Sequence, residues 1–227
     1  ESDLKDPNAV VKDSVVIKEI PFRDFEKPIK NLYRFELSNL KPNTQYSYQI
    51  PPSSKVYSFF TAPSALVGNK NDDYVPDKIT FLIAGDLHGG SGENRQMYDL
   101  IEEICNGEDI AFILNTGDLV SDSSVLSHFK AFFLQTQNIT PFFPMVHTPG
   151  NHDGHKKGGI RLWRSHFHQN YPSPKNGSYF LIKYAYIAII SIDYYNAGNL
   201  YEEFSEEQIT WIAQQIEELS ADSSIEQ

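Results

Sequence analysis

The chain has 227 residues, with 19 Lys and Arg against 30 Asp and Glu, so its formal net charge is −11. Its 40% hydrophobic and 13% aromatic content is that of a globular protein, which excludes a disordered tail, a collagen or a coiled coil. The acidic balance argues against a nucleic-acid polymer or an anionic membrane surface as the main partner. The single cysteine, Cys105, excludes an intrachain disulfide framework. The longest apolar stretch, 184–192, falls well short of the roughly 20 residues a spanning helix needs, so no membrane insertion is expected.

In chain order, residues 10–20, 32–37, 44–50 and 56–61 are strand-length runs rich in Val, Ile, Tyr and Phe. The run 44–50 alternates cleanly, with its tyrosines on one face. Residues 1–63 therefore read as a small all-β unit, and 64–77, rich in Gly, Asn, Asp and Pro, as a linker. From 78 the pattern changes. Buried strands at 78–84, 110–114 and 142–146 alternate with helices at 93–105, 124–137 and 160–168. The first of these helices carries a stripe of Met97, Leu100, Ile101 and Ile104. A strand pair at 179–183 and 186–192 follows. A last helix starts at Ser205 with a capping-box pattern to Gln208, and Ile209, Ile212, Ile216 and Leu219 form its stripe. Alternating strands and helices predict an α/β sheet with at least its first three strands parallel, and ligand sites at the carboxyl ends of those strands.

Those strand ends carry the chemistry. They read Gly85-Asp86-Leu87-His88, Gly117-Asp118-Leu119 and Gly150-Asn151-His152-Asp153. One Asp after a Gly is ordinary turn chemistry. Three successive loops at the same topological position, each with a carboxylate, imidazole or amide oxygen, are the donor set of divalent or trivalent metals. Two such ions about 3.5–4 Å apart would suit phosphoryl displacement.

This series, GDLH…GDL…GNHD, resembles the calcineurin-like metallophosphoesterases over about residues 78–220. The string L-x-P-x-T-x-Y-x-Y from Leu40 resembles the end of the fibronectin-type-III-like domain that precedes the catalytic domain in purple acid phosphatases. The resemblance implies an incomplete four-layer α/β/β/α sandwich from 78 to 227, behind a partial fibronectin-like module at 1–63. It also implies a pair of divalent or trivalent transition metals (Fe, Mn or Zn). Asp86 and His88 would ligate the first metal, Asp118 would bridge both, and Asn151 would hold the second. His152 would face a small phosphorylated substrate, a phosphomonoester or phosphodiester, which a metal-activated hydroxide would attack. Asp153 would brace its loop. A secreted, periplasmic or cell-surface location follows from the resemblance alone.

Two departures qualify the match. No tyrosine follows Gly117-Asp118-Leu119-Val120-Ser121, where purple acid phosphatases place an iron ligand, and His88 takes a ligand position in its stead. The later lone histidine and Gly-His-x-His element of the family are also missing before Gln227. His155, His166 and His168 stand at the wrong places in the order to replace them. His128, His147, His166 and His168 read as helix-surface residues. The expectation is therefore a trimmed chain with weak or no hydrolysis as it stands. The alternative is a non-catalytic binding or structural protein built on a degenerate phosphoesterase-like domain.

Overall fold

The structure, a computed structural model, describes residues 10–17, 32–50, 52–64, 78–154, 159–167, 178–193 and 204–225. The expected linker beyond Ser64 lies outside the described residues, as do His155 and His168.

The β-branched and aromatic runs at the front form two antiparallel hairpins. Strand β1 (Val10–Ile17) pairs with β2 (Leu32–Ser38), and β3 (Gln45–Gln49) with β4 (Val56–Phe60). Among the described residues these are separate two-stranded sheets. The period-two pattern of β3 places Tyr46 against Phe59 and Tyr48 against Tyr57, both cross-strand neighbours, with ring centroids 6.0 and 5.4 Å apart. Tyr48 donates its hydroxyl to the Pro141 carbonyl at 2.9 Å, and Tyr57 packs on Phe142. The hairpin is thus seated on the segment that leads into the strand Met145–His147.

From residue 82 the expected alternation is present. Strands β5 (Leu82–Ala84), β6 (Ile113–Asn115) and β7 (Met145–His147) form a parallel sheet in that order. Its register aligns Ala84, Asn115 and His147, the last residue of each strand. The three following loops therefore leave the sheet at one edge. Helices α1 (Arg95–Gly107) and α2 (Leu126–Gln135) are the crossovers. A one-turn α3 (Asn151–Gly154) and α4 (Gly159–Phe167) follow β7. The core gathers Leu87, Tyr98, Ile101, Ile113, Leu119, Phe129, Phe132 and Trp163.

The antiparallel pair β8 (Phe180–Tyr184) and β9 (Ile187–Ser191) makes a second β layer. Alternation along β8 turns Tyr184 toward Phe112 of the first sheet, centroids 4.7 Å apart. It turns Tyr179 and Lys183 toward α5 (Glu206–Ser220), where Tyr179 packs on Trp211 and Lys183 pairs with Asp222. Parallel sheet, antiparallel pair and helices together make the mixed α/β architecture expected.

Three local readings change. In α1 the buried face is Tyr98, Ile101 and Cys105, while Met97 and Leu100 stand exposed. In α5 the Ser205 hydroxyl caps the Gln208 N–H as read, yet Ile209 and Ile216 are exposed and Gln208 and Gln215 are buried. The Gln208 amide is satisfied by both backbone groups of Asp193, at 2.8 Å each, so its burial leaves no polar group unpaired. Finally, His147 is not a surface histidine, and His166 is half-buried. His147 is buried between Phe132 and Phe167, and His166 stacks on Phe129 with centroids 4.2 Å apart. Burial pushes the His147 pKa down to about 3.

Candidate metal centre

The site is assembled by backbone before any side chain is considered. Beyond the strand ends the first two loops continue the parallel ladder. Asp86 N–H donates to the Gly117 carbonyl, His88 N–H to Asp118 at 2.9 Å, and Gly89 N–H to Leu119 at 2.9 Å. Leu87, Leu119 and Val120 are fully buried, so each loop is pinned by apolar residues that leave the polar neighbours at the edge. Asn94 and Tyr98, at the start of α1, bind the carbonyls of the first loop: Asn94 those of Asp86 and Leu87, Tyr98 that of Leu87.

Asp86, His88 and Asp118 all have left-handed backbones, with φ of 52°, 44° and 52°. A non-glycine residue there costs of order 1–3 kcal/mol. Three such residues, each one singled out by its donor chemistry, mark a place where side-chain direction outweighs backbone comfort.

The second and third loops interlock at glycine. A methyl group on Gly150 would collide with the Asp118 backbone nitrogen and carboxylate, and one on Gly117, at φ 124°, with the Gly150 backbone. This contact lets Asp118 Oδ1 accept the His152 N–H at 2.8 Å. Asp153 is fully buried and accepts N–H bonds from Gly150, Leu119 and Val120, at 2.9, 3.2 and 3.4 Å. It braces two loops, as expected. Burial drives its pKa up to about 7, against the opposing pull of those three donors.

Of the five residues singled out by sequence, His88, Asp118 and His152 come together, each offering a donor atom within 4.8 Å of the others. Asp86 lies at the mouth, its carboxylate largely exposed and 3.4 Å from His88 Nε2. That separation suits two donors on one tetrahedral ion with bonds of about 2.05 Å. Asn151 opens α3 beside them, half-buried. Ser121 also belongs to the site. Its carbonyl binds His152 Nδ1 at 2.7 Å and its hydroxyl donates to the His88 carbonyl at 3.0 Å. A backbone carbonyl leaves no trace in composition or spacing, so nothing in the sequence marks it.

The family model described as calcineurin-like phosphoesterase matches residues 79–222. A search of curated proteins returned no match. Among solved structures, a purple acid phosphatase from yellow lupin (Lupinus luteus) seeds matches with a TM-score of 0.59 at 16% identity. The match covers 83% of this chain and 36% of that one, so this chain spans about a third of that protein's length. At such low identity the likeness concerns the fold, a parallel sheet with helices. The family match covers well over half of the chain and includes all three strand-end loops, and the chain belongs to the calcineurin-like phosphoesterase family.

Proposed function

We propose that the protein hydrolyses a small phosphorylated substrate, a phosphomonoester or phosphodiester, at a two-metal site. The carrying observation is the convergence of His88, Asp118 and His152 from three successive strand-end loops. Asp86 and His88 would hold one ion and Asn151 a second, with Asp118 available to both; Fe, Mn and Zn all suit this mixed oxygen and imidazole set. Bound metals of this kind supply Lewis acidity toward phosphoryl oxygens and lower the pKa of coordinated water. The chain itself orients. Asp118 is fixed by the His152 amide, and His152, anchored at Nδ1 on the Ser121 carbonyl, is the residue we assign to protonating the leaving oxygen.

The domain division belongs to the same reading: a partial fibronectin-like module at 1–63, a linker at 64–77 and the phosphoesterase domain at 78–227. It is supported by the change from antiparallel hairpins before Thr61 to a parallel sheet after Lys78. No helix among the described residues is long and apolar enough to cross a membrane.

The test is hydrolysis of p-nitrophenyl phosphate and bis-p-nitrophenyl phosphate by protein loaded in turn with Mn, Zn and Fe. Metal-dependent turnover that vanishes with chelator and in Asp118→Asn supports the reading. Stoichiometric metal binding without turnover of either ester would favour the non-catalytic alternative.

A further inference from the structure

We propose that His128, on α2, is a positioning residue for the metal centre: its ring is the seat of the turn that follows His88, and through it α2 sets the first metal loop against the third. The turn spans residues 88–91. The His88 carbonyl accepts the Ser91 N–H at 3.0 Å, the Ser91 hydroxyl at 2.9 Å and the Ser121 hydroxyl at 3.0 Å. Gly90, third in the turn, is left-handed at φ 94°, a backbone that suits glycine. The other side of this turn lies directly on α2. A methyl group on Gly90 would stand 2.5 Å from His128 Cδ2 and 2.6 Å from its Cγ. One on Gly89, whose φ is not in the left-handed range, would stand 2.7 Å from Phe132 Cβ and 3.1 Å from its Cα. Gly89 is thus required by space alone: it lets the loop lie against a helix with no side chain between them.

His128 is half-buried, and its Nδ1 is enclosed with no hydrogen-bond partner among the described residues. A bond at Nδ1 therefore does not hold the ring, and its packing under Gly90 is what it contributes to the loop. His128 and Phe132, four residues apart, share the face of α2 that meets the turn. The adjacent face carries Phe129 and Phe133 to α4. Phe129 stacks on His166 with centroids 4.2 Å apart, and Phe133 lies 6.0 Å from Phe167. Helix α4 follows the third loop, so α2 touches the first loop with one face and the helix behind the third loop with the next. The hydrogen bonds at the His88 carbonyl fix the turn within itself and to the second loop, and His128 supports it from the helix side. Truncating His128 removes that seat and leaves the contacts of Phe129 and Phe133 in place, so the loop that carries His88 is loosened while the core stays filled.

The inference rests on the hydrolase reading only in placing metal at these loops, and it is tested without turnover. Cobalt(II) is titrated into the full chain, His128→Ala, His128→Phe and a control on the same helix, Lys130→Ala, whose side chain is exposed. His128→Ala is expected to bind cobalt about 10-fold more weakly than the parent and to shift the visible bands of the bound ion. His128→Phe keeps a flat ring and should return the affinity to within about twofold of the parent, as should Lys130→Ala. Hydrogen exchange of the metal-free proteins is the second measurement. The Ser91 amide should exchange severalfold faster in His128→Ala while the amides of α1 keep their parent rates. Equal cobalt affinity and equal Ser91 exchange in His128→Ala overturn the proposal and leave the hydrolase reading standing. A folded His128→Phe that binds cobalt 10-fold more weakly also overturns it, and this arm decides alone if His128→Ala does not fold. Weak binding in His128→Ala with parent-like binding in His128→Phe supports the positioning role whether or not the parent turns over an ester. A parent that binds no cobalt would sink the metal reading and this inference together.

Discussion

Asp118 Oδ1 accepts the backbone N–H of His152 at 2.8 Å. One oxygen of the central carboxylate thus spends a lone pair on fixing the loop that carries the histidine. The two residues stand 34 apart in sequence and act as one unit, because Gly150 lets the backbones approach. Charge and scaffolding at this position can therefore be separated.

Asp118→Asn keeps an oxygen that can accept the His152 N–H but removes the charge. Ester hydrolysis and metal affinity are each expected to fall by at least about 100-fold, with the thermal midpoint changed by only a few degrees. A parallel melt and metal titration would check it. A collapse of the melt would show that the charge itself supports the fold.

Gly150→Ala forces a methyl into Asp118. Overpacking against backbone is expected to destabilise by about 1–3 kcal/mol in urea unfolding and to disturb metal binding with it. Gly92→Ala meets nothing within 4 Å and is the matched control, expected within about 0.5 kcal/mol of the parent.

Asp153→Ala strips the acceptors from the Gly150, Leu119 and Val120 amides. Buried donors left without partners cost roughly 1–3 kcal/mol each and do not sum fully, so a loss of about 3 kcal/mol or more is expected. Hydrogen exchange at these three amides should accelerate before that of the α1 core, which places the effect in the loops.

Acid should weaken the fold through His147. Its ordinary pKa is 6.5 and burial holds it near 3, so the unfolded chain binds the extra proton between those values. Stability is complete above about pH 6.5 and falls as the pH is lowered toward 3, by up to about 1.4 kcal/mol per unit. Its Nδ1 has no hydrogen-bond partner among the described residues, so His147→Leu costs little polar pairing. Urea midpoints across the acid range should show a shallower slope in that variant. His166, also lowered by burial, leaves part of the slope in place.

Gln208→Leu would remove the two side-chain hydrogen bonds that Gln208 makes to the N–H and C=O of Asp193. A loss of about 2–4 kcal/mol in chemical denaturation is expected, far above what an exposed capping residue contributes.

Gln208 marks the reach of local pattern. Spacing placed Gln208 correctly as the third residue after Ser205, and the Ser205 cap is present. The side chain, however, serves a strand end 15 residues earlier, which no local pattern encodes. The same limit explains the helix faces. A stripe of Ile209, Ile212, Ile216 and Leu219 and a neighbouring one of Gln208, Trp211, Gln215 and Leu219 are both helical in period. Only the partner surface selects between them, and paired amides made the second acceptable inside. Imidazoles are usually partly exposed, so sequence alone points His147 and His166 outward; aromatic rings bury His147 and half-cover His166. The metal loops were legible because parallel topology converts three separate strand ends into one edge. That step is geometry and needs no tertiary detail. What holds those loops, Ser121, Asn94 and Tyr98, works largely through backbone carbonyls and stays silent in the sequence.

The left-handed residues of the first loop set stability against capability at the same two positions. Glycine at 86 or 88 would relax the chain and abolish a donor in one substitution, whereas at 118 it would also remove the acceptor of the His152 N–H. A library selected only for heat resistance should therefore drift toward glycine at 86 and 88 but keep 118, and one selected for metal retention should refuse glycine at all three. The two selections would pull apart at Asp86 and His88 and agree at Asp118.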